Sequence, residues 1–106
     1  MRDGIYYIAP GLAQTSGNGV VVVENGMMKG FDDQYFYAGH PETKYEWRIV
    51  IKYADLNAGS FLRRGTTLKL NETDHGNGFT LEGEIEGWTT IQIAINGTWI
   101  GDAVTF

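Results

Sequence analysis

The chain has 106 residues, of which 42% are apolar and 20% charged, and a formal net charge of −5. That size and balance predict one compact domain over residues 1–106. The acidic excess argues against direct nucleic-acid binding and against an anionic membrane surface, since both are met with Lys and Arg, and the absence of cysteine excludes disulfide and thiolate chemistry.

No apolar stretch of signal-peptide length opens the chain, and no run approaches the roughly 20 apolar residues of a membrane-spanning helix. A cytoplasmic protein is therefore expected. Fifteen glycines against two prolines suggest tight turns and sheet bends rather than disorder.

Residues 5–9, Ile-Tyr-Tyr-Ile-Ala, read as a first strand, ended by Pro10-Gly11. Residues 11–18 are small and polar and read as a loop. Four consecutive valines, Val20 to Val23, are stiff at χ1 and suit a pleated backbone better than a helix. Asn25-Gly26 follows, a dipeptide that accepts the positive φ angles of a type I′ hairpin turn. Residues 27–31 then run back as the next strand. Asp32-Asp33 turns the chain into residues 34–38, closed by Gly39, which completes a β-meander.

Residues 40–46 read as another loop or a frayed continuation of the strand. In residues 47–53, Trp47, Ile49, Ile51 and Tyr53 alternate with Arg48, Val50 and Lys52, a half-buried strand with one wet face. Residues 54–65 are too short and too broken by glycine for a proper helix and read as a loop or a single helical turn. Residues 66–71 form a strand with Leu68 and Leu70 inward, and residues 72–78 a turn. Phe79, Leu81, Gly83 and Ile85 alternate with Thr80, Glu82, Glu84 and Glu86, which places an acidic, solvated face on that strand. Gly87 breaks the run. Ile91, Ile93 and Ile95 then alternate with Gln92, Ala94 and Asn96. Asn96-Gly97 signals a second hairpin, with residues 98–106 as a last partial strand.

About eight short strands with no convincing helix predict an all-β fold, a small antiparallel eight-stranded up-and-down barrel, because closure removes exposed sheet edges. Such a barrel has room for side chains or for one small ligand. Aromatic-rich strands predict an interior filled by side chains. The alternative is a carrier or sensor with an open apolar cavity, lined by Ile49, Ile51, Phe79, Leu81 and Ile93.

The sequence supplies no catalytic constellation. Asp32-Asp33 are neighbours on a turn, where Asp bonds nearby backbone N–H groups. His40 and His75 lie in separate loops without partners at metal-ligand spacing. Ser16 and Ser60 lack a nucleophile elbow. Residues 4–8, Gly-Ile-Tyr-Tyr-Ile, superficially match the opening of GIY-YIG nucleases, without the rest of that site. No enzyme, cofactor or metal is expected. Two features suit protein partners instead. Glu82, Glu84 and Glu86 form an acidic face. Tyr35 and Tyr37 share one face of their strand with Phe36 on the other, and large apolar residues left outside a small barrel mark interfaces. Pairing of two subunits through these aromatics is a further expectation.

Asp3-Gly4-Ile5-Tyr6, Gly19-Val20-Val21-Val22-Val23-Glu24-Asn25-Gly26 and Asp32-Asp33-Gln34-Tyr35-Phe36-Tyr37-Ala38-Gly39 together resemble the GrlR-type negative regulators of bacterial type III secretion. The likeness covers roughly the first 40 residues, and the order and spacing of its pieces carry it. It implies a lipocalin-like barrel, a homodimer, and repression by binding a transcription activator. The family's best-described member docks its activator through a short run of alternating acidic residues in the loop after the Tyr-rich strand. The corresponding positions here are Glu42 and Glu46, with Lys44 between them. An acidic protein suits that mode, because it can mask a basic DNA-binding partner without touching DNA itself.

Overall fold

The computed structural model describes residues 1–10, 19–31, 35–53 and 66–102. They form eight strands: β1 (Gly4–Pro10), β2 (Gly19–Glu24), β3 (Met27–Phe31), β4 (Tyr35–Pro41), β5 (Glu46–Tyr53), β6 (Thr66–Asp74), β7 (Gly78–Ile85) and β8 (Trp88–Gly101). Each strand pairs antiparallel with the next, and β8 returns to β1, so the sheet closes into an up-and-down barrel. Closure leaves no unpaired edge, as expected of short aromatic-rich strands without covering helices.

Alternation sorts the side chains. One inward row runs Val23, Met28, Gly39, Ile49, Leu68 and Ile85 across six strands. A second joins Trp47, Leu70, Gly83 and Ile93. Tyr6 meets Phe79 edge-on across the core, with ring centroids 5.0 Å apart, a favoured aromatic geometry. The β2–β3 turn follows its signal: Asn25 and Gly26 take φ of 54° and 76°, the left-handed pair that a type I′ turn requires.

The second Asn-Gly pair does not turn. The hairpin expected at Asn96-Gly97 and the separate strand after it are corrected, because β8 runs unbroken from Trp88 to Gly101. Gly97 pairs with Ile8 on one side and Phe79 on the other. A Cβ at Gly97 would run into the Phe79 ring, so glycine stands there to admit an aromatic ring, not to bend the chain. Two other strands run on, the first as the continuation allowed after Gly39 and the second past its expected end at residue 71. β4 continues past Gly39 through His40 to Pro41, and β6 continues to Asp74, leaving residues 75–77 as the turn. The expected loops at 11–18 and 54–65 and the Asp32-Asp33 turn lie outside the described residues.

The α-amino group and Met1 side chain tuck against one end of the core. Glu72 accepts from the Met1 ammonium at 2.5 Å and from Trp47 Nε1 at 2.7 Å. Asp74 lies 3.5 Å from the same ammonium. Burial alone would lower the α-amino pKa, but the hydrogen bond and charge of Glu72, with Asp74 beside it, hold it above its ordinary value. Tyr6 donates to the Arg2 carbonyl at 2.6 Å, and the Arg2 guanidinium stacks 3.7 Å over the Trp99 ring.

Candidate binding face

The two faces of β4 are both apolar in sequence, and the structure decides between them. Tyr35 and Tyr37 were expected on the partner surface; they point into the barrel instead, 1% and 7% exposed. The reason is register. Tyr37 pairs with Ile51 and Gly39 with Ile49, so β4 shares the inward parity of β5. Phe36 takes the outward position at 53% exposure, beside Phe31 at 59%, with ring centroids 6.4 Å apart.

These two rings belong to a longer outward row. Tyr7, Val20, Phe31 and Phe36 stand opposite one another across β1 to β4, and Lys52 of β5 ends the row. All four apolar members are exposed. The adjoining outward row reads Val22, Lys29, Ala38 and Val50. Between the rows lies a groove of about 430 Å³ lined by Val20, Val22, Lys29, Phe31, Phe36 and Ala38 among others. The four large exposed side chains amount to on the order of 300–400 Å², within the range of the largest apolar patch on a typical monomer, which is often functional.

The opposite flank is polar. Arg48, Lys69, Glu84 and Gln92 align outward across β5 to β8, and with Glu42, Glu46 and neighbours they line a second groove of about 650 Å³. Arg48 donates to Glu86 at 2.8 Å and lies 3.5 Å from Glu42. That pairing raises the Arg48 pKa and lowers that of Glu86, the hydrogen bond between them being the main cause of each shift. Glu42 and Glu46 are exposed and frame the β4–β5 turn, where the Glu46 carbonyl accepts from the Glu42 N–H at 2.7 Å. Glu42 therefore faces a guanidinium, and Glu46 stands as the freer carboxylate of the two.

The expected cavity liners Ile49, Ile51, Phe79, Leu81 and Ile93 are each 2% exposed or less and belong to one packed cluster with Tyr6, Tyr35 and Trp47. Among the described residues no group of three or more His, Asp or Glu could hold a metal ion. The His75, Thr80 and Asn96 side chains do form a chain, His75 Nε2 to Thr80 Oγ1 at 2.8 Å and Thr80 Oγ1 to Asn96 Oδ1 at 2.9 Å. Thr80 Oγ1 donates in the bond to Asn96, and the role of His75 Nε2 follows its tautomer.

Residue-type reasoning missed Tyr7, Val20, Phe31 and the two lysines. One signal was available. A strand of consecutive valines carries apolar side chains on both faces, the pattern of a strand covered on both sides, while a barrel covers only one.

No model of a known protein family matches the chain, and no curated protein matches it significantly. Among the described residues no helix is long and apolar enough to cross a membrane.

Proposed function

We propose that this chain is a non-enzymatic, cytoplasmic regulatory protein that works by binding another protein, in the manner of the GrlR-type negative regulators it resembles. Its partner in that reading is a transcription activator. The observation that carries the reading is the exposed apolar row Tyr7, Val20, Phe31 and Phe36 on a barrel whose inward positions are taken by its own side chains. Such a molecule offers its outer surface for recognition. The packed positions of Ile49, Ile51, Phe79, Leu81 and Ile93 weigh against the carrier alternative.

The test has two arms. A photo-crosslinking amino acid replaces Phe36 in cells of the source organism, with the same replacement at solvent-facing Glu82 as the control. A DNA-binding protein crosslinked at 36 and not at 82 is expected. Native mass spectrometry of the purified chain then reads subunit number and retained mass. An excess of a few hundred daltons per chain, or the absence of any protein adduct at position 36, would overturn the regulator reading.

A further inference from the structure

Four Asn-Gly pairs stand in the chain, at residues 18–19, 25–26, 77–78 and 96–97. This dipeptide carries a reaction of its own. The glycine nitrogen can attack the asparagine carboxamide carbon, because glycine has no side chain to block the approach and lets the backbone rotate. Attack needs a glycine N–H outside any hydrogen bond, a peptide between the two residues that can turn, and water at the site. The fold distributes these conditions unevenly.

Asn96-Gly97 lies inside β8. Gly97 is buried and paired with Ile8 on one side and Phe79 on the other, and Asn96 Oδ1 accepts from the Thr80 hydroxyl at 2.9 Å. At Asn77-Gly78 the Asn77 carbonyl, part of the peptide that would have to rotate, accepts from the Trp99 N–H at 2.8 Å. Gly78 is buried and paired with Thr98. Asn25-Gly26 differs on each count. Both residues are exposed. Gly26 is a loop residue of the β2–β3 hairpin, and among the described residues its N–H has no partner. No atom outside its chain neighbours lies within 4 Å of where a Cβ would stand, so the peptide has room to swing. Asp3 Oδ2 accepts from the Asn25 N–H at 3.1 Å, which anchors that residue on its other side and leaves the bond toward Gly26 free. Asn18 lies outside the described residues.

From this contrast we infer that Asn25-Gly26 is a site of spontaneous covalent modification, at which the folded chain converts asparagine to isoaspartate and aspartate. Solvent hydroxide takes the Gly26 amide proton. The nitrogen bonds to Asn25 Cγ, the Cγ–Nδ2 bond breaks, and ammonia leaves with a proton from water, which regenerates the hydroxide. Water then adds to either carbonyl of the resulting succinimide ring. Opening at the backbone carbonyl gives isoaspartate, and opening at Cγ gives aspartate. One water enters and one ammonia leaves, with no redox partner. Either product adds a carboxylate beside Asp3 and Glu24, which like-charge repulsion disfavours. Isoaspartate also routes the backbone through Cβ, so the φ pair of 54° and 76° that closes the turn has no equivalent there. The β2–β3 hairpin therefore loosens with age. The reaction needs no partner and goes beyond the proposed function.

The purified wild-type chain, held at mildly alkaline pH and digested at intervals, tests this. Peptide mass spectrometry reads the amide-to-acid mass gain at each pair, and labelling by isoaspartyl methyltransferase reads the isoaspartate. Conversion at Asn25 should outpace that at Asn77 and Asn96 by about tenfold or more, since a turn opens at almost no cost whereas the other two positions need sheet pairing to break. In urea, which removes the fold, the three rates should converge. The isoaspartyl form, isolated by chromatography, should show faster amide exchange at residues 22–24 and 27–29, and N25D should not. Equal rates in the folded chain, an Asn25 that stays intact over times that convert it in urea, or an order that persists in urea overturns the inference. Unchanged exchange in the isoaspartyl form overturns the loosening of the hairpin.

Discussion

Alanine at Gly97 probes the one place where a strong turn signal is overridden. The added methyl would stand well inside contact with Phe79 Cε2 and Cζ and 2.9 Å from Cδ2, where ordinary contact is 3.4–4 Å. The ring cannot retreat freely, because Phe79 is fully buried and packed edge-on against Tyr6. Overpacking of this kind costs about 1–3 kcal/mol. For a domain of this size that corresponds to a loss of roughly 5–20 °C in Tm. Urea unfolding of the wild type, Gly97→Ala, Phe79→Leu and the double variant measures it, with the slope m unchanged. Trimming the ring should recover much of the alanine penalty, giving a coupling of about 1 kcal/mol or more. Were Asn96-Gly97 a hairpin turn, the penalty would come from backbone conformation and Phe79→Leu would not relieve it. Strictly additive effects would refute the account of Gly97 given above.

Other outcomes follow from the same geometry. Tyr35→Ala should cost about 3–5 kcal/mol by emptying core volume, whereas Phe36→Ala should change stability by no more than about 0.5 kcal/mol; thermal unfolding of the pair checks which face of β4 is inside. Gly26→Ala should destabilise by about 1 kcal/mol, since φ at that position is 76°, and the same denaturant titration reads it. The Met1 α-amino group has its pKa raised in the folded state, so its contribution is complete below about pH 8 and is lost as pH rises through the folded value. Between pH 8 and 9.5 the wild-type Tm should therefore fall more steeply than that of Glu72→Gln, which keeps an acceptor for Trp47 but lacks the charge.

The barrel was legible because its signals are local. Valine runs, period-2 alternation in β5 and β7, and the Asn25-Gly26 turn each depend on residues within one strand or one hairpin. The inward positions of Ile49, Ile51, Phe79, Leu81 and Ile93 were legible for the same reason, since each alternates with a polar or less bulky neighbour.

What the sequence by itself determined is the class of fold, the hairpin at Asn25-Gly26 and most inward faces, because backbone propensity and alternation act at short range. Only the closed sheet decided the rest. β4 is apolar on both faces, so its inside was settled by pairing Tyr37 with Ile51 and not by its own residues. Gly97 became a strand residue because Phe79, 18 positions earlier, needs the space above it. The outward row of Tyr7, Val20, Phe31 and Phe36 exists only when four strands lie side by side. Each of these is a contact between residues distant in sequence, which pairing register creates and composition does not reveal.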